Sequence, residues 1–494
     1  MNRDEVRRLA LGVLLPGFEG THTTGPPGWL RELLAEGLAG VTVFGRNIVA
    51  PNQVDNLGGL TRRLRAGRPD LLVAIDEEGG DVTRLDAAEG SWFPGPSALG
   101  AVDDVPATTR CHAMLANRLA TAGVNLNFAP VADLANEPDS PIVGTRAFSP
   151  EAAVAARHVV ASVRGHLAAG VAPVVKHFPG HGDTTEDSHL VVPRITASIS
   201  TLRSRELVPF VAAIEAGAPA VMTGHLLVEA VDHEHPATLS PAVVGGLLRG
   251  ELGFTGVVVT DGLDMHAISR GVGRPEAVVR ALLAGVDLMC IGGDSVDAAV
   301  VADILAAVVA AVEEGRLPAA RLIEAAQRVA ALAARFRAGC RTPDAGEDRA
   351  ALVALARRGL RLFGDPVPGL LGPVLELQNP PTIVAGQVEF GVGNHLRRIA
   401  PAAQVLRLRE SDPLPEVRDE ELVVCVRDSH LHPWQSQAVA RLRATNPDLI
   451  VVDHGGTAAP DVLGERAITA PDASAATSAA VAGVLMNSRV APLR

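Results

Sequence analysis

Tyrosine is absent from the 494-residue sequence and lysine nearly so: of 44 basic residues only Lys176 is a lysine. Aromatic residues make up 3% of the chain, and its four cysteines, Cys111, Cys290, Cys340 and Cys425, are scattered without CxxC or disulfide-framework spacing. That scatter argues against a disulfide scaffold and predicts a reducing, cytoplasmic setting. The most apolar helical stretch, 298–312, carries Asp303 inside it and falls short of the roughly 20 residues a bilayer span requires, so no membrane segment is expected. At the N-terminus, MNRDEVRRLALGVLLPG has a short apolar stretch, but acidic residues interrupt its basic start and no small-residue cleavage site follows. Export is therefore not expected. Nucleic acid is not expected as a partner either, because 56 acidic residues against 44 basic give a net charge of −12, whereas polyanion binding rests on basic clusters.

What the chain does have is apolar residues, 47% against 20% charged, enough for a large core and too many for general disorder. Its length suggests about two domains. Eight continuous apolar runs, at 11–17, 40–44, 71–76, 124–131, 172–177, 220–225, 256–261 and 286–293, have the character of parallel strands covered on both faces. Helical patterns lie between them, for example at 151–170 and 201–217, several closed by glycine as helix C-caps commonly are. Eight such units predict an α/β fold, a TIM-type (β/α)8 barrel over residues 1–340, with a doubly wound open sheet as the alternative. Polar residues gather at several strand ends: Asp76, Asp133, Lys176 with His177, His225 and Asp261. Both architectures build their sites there.

Helical stretches at 295–314 and 318–338 lead to the breaker run GCRTPDAGEDR, which reads as a domain boundary. A linker helix is expected over 350–363, within a connecting segment 341–365. A smaller C-terminal α/β domain follows over 366–494, with strands at 382–386, 404–408, 422–428 and 449–455. Its GVGN at 391–394 is too slight a glycine signal for a nucleotide site, and His454 at a strand end reads as structural.

The densest polar segment, KHFPGHGDTTEDSH, spans 176–189. Asp187 and His189 are two apart, so an extended backbone would put them on one face, where a carboxylate could orient and charge-stabilise the imidazole as a general acid/base. A solvated surface loop is the plainer alternative. His177, His181, His189, His225 and Asp261 also match the inventory of a barrel metallohydrolase. Against that reading, strand one has no His-x-His pair, and a lysine adjoins His177 where a cation would have to bind. Neither metal nor cofactor is expected. Asp261 follows four β-branched residues and is placed as a nucleophile; a helix N-cap is its alternative role, one that Asp264 suits better.

KHFPGHGDTTEDSH resembles the signature of family 3 glycoside hydrolases, in particular their β-N-acetylhexosaminidase branch. DEEGGDVTR (76–84), FAPVAD (128–133), SPIVGTRAF (140–148) and TDGLDM (260–265) are similar to further segments of that family. The resemblance implies a retaining exo-β-N-acetylglucosaminidase without cofactor, acting on small carbohydrates such as cell-wall muropeptide sugars in peptidoglycan recycling, or chitin fragments. It implies Asp261 as nucleophile, His189 as acid/base assisted by Asp187, and Asp76, Arg84, Arg146, Lys176 and His177 as sugar-binding residues. It also allows phosphate to compete with water as acceptor, which would make the protein a phosphorylase. A sugar-binding protein without catalysis is the alternative of another class, and intact Asp261, Asp187 and His189 weigh against it. One departure stands out: Asp81 occupies the position after the paired glycines where the family usually has arginine, so altered loop packing or subsite preference is expected.

The lone lysine generates a prediction of its own. If Lys176 survives because a compact ammonium is required, Lys176→Arg loses most of kcat/KM despite keeping its charge. Near wild-type kinetics for that variant would return the lysine to chance.

Overall fold

The computed structural model describes residues 1–188, 190–269, 271–292, 296–337, 348–364, 372–381, 386, 390–417 and 421–486. Two compact units partition the chain. The first takes residues 1–77, 108–143 and 150–346; the second takes 78–107, 144–149 and 347–494. Each expected barrel run contains a strand: β1 (Leu14–Pro16), β2 (Gly40–Val43), β3 (Leu72–Ile75), β4 (Leu126–Asn127), β5 (Ala172–Phe178), β6 (Ala220–Thr223), β7 (Val257–Thr260) and β8 (Met289–Ile291). Strands β2 to β7 form one parallel sheet in sequence order, and β8 pairs in parallel with β1. Backbone bonds carry the ring onward, from Thr260 N to Leu288 O between β7 and β8 and from Ala39 N to Leu11 O beside β1, both at 3.0 Å. The open-sheet alternative is thereby set aside.

Alternate strand residues fill the interior: Leu72 and Ala74, Ala172 and Val174, Ala220 and Met222, Val257 and Val259, Leu288 and Cys290. Val329, Leu332 and Phe336, on or just after the helix Ala319–Arg335, join the same cluster. This is the packed core expected of a (β/α)8 interior. β4 is only two residues long because asparagine side chains take over where its ladder stops. Asn125 Oδ1 accepts from Val73 N at 2.7 Å, and Asn127 bonds both the N–H and the C=O of Glu77 at 3.0 and 2.8 Å. No helix among the described residues is long and apolar enough to cross a membrane.

Among the described residues the second unit holds six strands: β9 (Arg361–Phe363), β10 (Val374–Leu377), β11 (Val405–Leu408), β12 (Val423–Arg427), β13 (Ile450–His454) and β14 (Ala467–Ala470). Their order is β9-β14-β13-β12-β10-β11, parallel except for β9. Alternation sorts Val423, Cys425, Ile450 and Val452 to one covered face and Val424, Val426 and Val451 to the other. The linker helix is shorter than expected: it runs Arg349–Arg358, and residues 361–363 form the antiparallel edge strand instead. Gly359 closes the helix, and strand pairing with β14 then takes the following residues. Of the strand expected at 382–386, residues 382–385 lie outside the described residues. Between β10 and β12 the chain reverses its direction of progress across the sheet, the place where doubly wound folds commonly take ligands. Here Gln435 fills it, accepting from Arg427 N at 2.9 Å and donating to Leu377 O at 2.8 Å. At the GVGN run, Glu376 accepts from Gly393 N at 2.6 Å, so a carboxylate of the protein occupies that helix start.

Two outcomes follow for stability. Asp287 has no exposed side-chain surface, precedes β8 and pairs with Arg249, Arg321 and Arg328 at 2.5, 2.5 and 3.3 Å. Asp287→Ala leaves three guanidinium groups without this partner, for an expected loss of about 3–5 kcal/mol in urea unfolding; a loss below about 1 kcal/mol would contradict this account. His166 is buried, bonds Ser162 O through Nδ1 at 2.9 Å and meets Asn127 Nδ2 at 3.0 Å through Nε2. Burial lowers its pKa from 6.5 to about 4. The unfolded chain therefore takes up this proton more readily, and the stability involved is complete above pH 6.5, falls as pH drops toward 4 and levels off below. The shift is worth roughly 3 kcal/mol. His166→Gln is expected to flatten the decline of the urea midpoint between pH 7 and 4.5, and an unchanged slope would count against it.

Candidate active site

The end of β5 brings the chemistry together, and Asp133 fixes it. This carboxylate lies just beyond β4 with no exposed side-chain surface. Its Oδ2 meets His177 Nδ1 at 2.6 Å, while Oδ1 accepts from His177 N at 3.1 Å and His181 N at 2.8 Å. Burial alone would raise its pKa, but His177, through charge and hydrogen bond, and then His181 hold it below the ordinary value. A carboxylate at Nδ1 keeps the proton there and directs Nε2 outward. That nitrogen lies 4.0 Å from Asp261 Oδ2.

Asp261 follows β7 with its side chain 22% exposed. Its backbone N–H donates to Thr223 O at 3.1 Å and its Oδ1 accepts from Gly262 N at 2.8 Å. His225 braces the same turn: Nε2 donates to Gly262 O at 3.0 Å and Nδ1 meets Thr238 Oγ1 at 2.8 Å. Asp264 differs from its expected role as a helix cap. Its Oδ1 is buried and has no hydrogen-bond partner among the described residues. Burial raises its pKa, and the nearby Asp261 charge adds to the rise.

Lys176 sits at the same mouth with its side chain 3% exposed and its Nζ 2.8 Å from Asp76 Oδ1, at the end of β3. The only lysine is thus an interior residue, held where a compact cation meets a carboxylate. The glycines of the following loop are sterically required, since a Cβ on Gly182 would lie 1.7 Å from Leu134 O. His181 Nε2 meets Ser188 Oγ at 3.0 Å and ties the loop to itself; burial lowers the pKa of this ring to about 4, so it is neutral at pH 7.

Leu190 N and Val191 N both donate to Asp187 O, at 2.9 and 3.0 Å, so the chain turns there. His189 lies outside the described residues. Arg84 and Arg146 belong to the second unit, where Arg146 makes a paired contact with Glu78, Nε to Oε2 at 2.9 Å and Nη2 to Oε1 at 2.7 Å. Among the described residues no group of three or more His, Cys, Asp or Glu side chains is arranged to hold a metal ion. Asp133, which holds His177 and His181, and the hydroxyls of Ser188 and Thr238, which bond His181 and His225, have no assigned role in the motifs; for Asp133, its place after strand four is the signal that was available.

Comparison with known proteins bears on this geometry. Residues 25–332 match the model of the glycosyl hydrolase family 3 N-terminal domain. The β-hexosaminidase of Alkalilimnicola ehrlichii is 41% identical over 292 residues, 57% of this chain and 80% of that protein. The β-hexosaminidase of Stenotrophomonas maltophilia is 39% identical over 287 residues, 56% of this chain and 83% of that protein. A solved family 3 β-N-acetylglucosaminidase from Paenibacillus sp. superposes with a TM-score of 0.85 at 31% identity, covering 97% of this chain and 96% of that one. With the family model matching well over half of the sequence and the barrel presenting acidic and basic groups at one mouth, the chain belongs to glycosyl hydrolase family 3 and is a glycoside hydrolase.

Proposed function

We propose that the protein is a retaining, exo-acting β-N-acetylglucosaminidase that removes terminal N-acetylglucosamine from short cell-wall or chitin-derived sugars. The observation that carries this reading is the partly exposed carboxylate of Asp261, held by Gly262 N–H and faced by His177 Nε2 across 4.0 Å. The names of the relatives, β-hexosaminidase and β-N-acetylglucosaminidase, support the choice of sugar.

In this reading an Asp261 oxygen attacks the anomeric carbon as the glycosidic C–O bond breaks. The departing oxygen takes a proton from His189, which Asp187 orients. Water then returns a proton to His189 and attacks the same carbon, displacing Asp261 and restoring the original configuration. Retaining enzymes ordinarily use a second carboxyl group for the proton transfer, and a His/Asp pair is a variation on that scheme. Asp76, Lys176 and His177, with Arg84 and Arg146, hold the sugar hydroxyls. No cofactor takes part. A reducing compartment suits Cys290 and Cys425, which are free and buried.

Hydrolysis of aryl β-N-acetylglucosaminide beside aryl β-glucoside, each with and without phosphate, tests the assignment. The expected outcome is selective cleavage of the acetamido sugar, abolished in Asp261→Ala. His189→Ala should slow a natural disaccharide more than the aryl glycoside, whose leaving group needs little protonation. Cleavage of the glucoside alone would overturn the choice of sugar, equal losses on both substrates would overturn the acid role, and sugar 1-phosphate among the products would make phosphate the acceptor.

A further inference from the structure

The C-terminal part of the chain has no chemistry of its own in the proposed function, yet it reaches Asp81 in the segment DEEGGDVTR. Asp81 is 7% exposed and three groups converge on its carboxylate. Oδ2 accepts from Arg427 Nη2 at 3.0 Å and from the Thr145 hydroxyl, and Oδ1 accepts from Ala473 N at 3.2 Å. Arg427 ends β12 and lies 346 positions from Asp81. A second carboxylate, Asp428, anchors its Nε at 3.2 Å. Thr145 in turn precedes Arg146 in the single-turn 3-10 helix Gly144–Arg146. Arg146 is held from its other side by the fork to Glu78, a pair with side chains 10% and 1% exposed.

These groups make one cluster, all within the second unit: Arg427 against Asp81 and Asp428, Asp81 against Thr145, and Glu78 against Arg146. Without Arg427, the Asp81 charge would remain buried with the Thr145 hydroxyl and the Ala473 N–H as its donors among the described residues, and a buried carboxylate stripped of its cation draws on whatever donors can move. The turn that carries Arg146 is what it holds. We propose that Arg427 is a positioning residue: acting through Asp81 and Thr145, it sets the placement of Arg146 and thereby the affinity for the sugar. This rests on the reading that Arg146 binds the sugar. It gives the C-terminal domain a part in substrate binding and gives the Asp81 carboxylate its role.

A double-mutant cycle tests it, with KM and kcat on the aryl glycoside and inhibition by free N-acetylglucosamine measured well below the unfolding temperature of each variant. Arg427→Gln is expected to raise KM and the inhibition constant about fivefold with kcat within about twofold, since coupled neighbours typically exchange about a kilocalorie. Asp81→Asn, which removes the charge and keeps the shape, should do the same and serves if the Arg427 variant does not fold. In an Arg146→Ala background neither change should raise KM further. If the Arg427 effect persists in full there, the route through Arg146 is wrong; if it falls on kcat alone, Arg427 does not act on binding. If Arg146→Ala itself leaves KM unchanged, the sugar-binding role of Arg146 fails and the inference falls with it.

Discussion

The carboxylate of Asp133 is the fixed point of the barrel mouth. Burying a charge in a dry interior costs several kilocalories unless donors surround it, and here the His177 ring, the His177 N–H and the His181 N–H supply them. Those bonds leave little freedom to the end of β5. His177 can present only its far nitrogen toward Asp261, and Lys176, one residue earlier, is held on the interior side beside Asp76. One side chain thus orients two cationic or proton-bearing groups and, through them, the two carboxylates they face.

A second layer keeps the neighbouring strand ends in register with that point. Asn127 occupies both backbone hydrogen-bonding groups of Glu77, the residue after Asp76, and leans on the neutral ring of His166. His225 does the equivalent service after β7 by holding Gly262 O. Polar side chains substitute for sheet bonds at the places where strands must end and functional groups must begin. The same economy explains the buried histidines: a neutral imidazole can both accept and donate without carrying charge into the core.

Much of this was legible in the sequence. All eight barrel strands could be placed because a strand covered on both faces must be continuously apolar, and the polar residues just after them could be read as a mouth. Asp76, Lys176, His177 and Asp261 come together as that reading implied. What escaped was set by contacts distant in sequence or by backbone detail. The strand Val374–Leu377 was hidden in a Pro- and Gly-rich run, and the edge strand Arg361–Phe363 looked helical because its apolar residues continue the spacing of the preceding helix. The turn at Asp187 depends on which amides reach one carbonyl. The partner of Asp81 lies on a strand with no local sequence relation to it, so no motif could have announced Arg427.

The second unit is assembled from three separate stretches of chain, two of them, 78–107 and 144–149, lying within the sequence span of the barrel. Gly95 and Ser97 donate to Asp472 and Pro471, and Ala475 N donates to Ser91 O, so the early stretch is closed by residues made near the end of synthesis. On a ribosome adding about 5–20 residues per second, the segment ending at residue 107 waits roughly ten to fifty seconds before residue 347 is even joined to the chain. For that interval Trp92 lacks the ring of His395 that it meets edge-on in the finished protein.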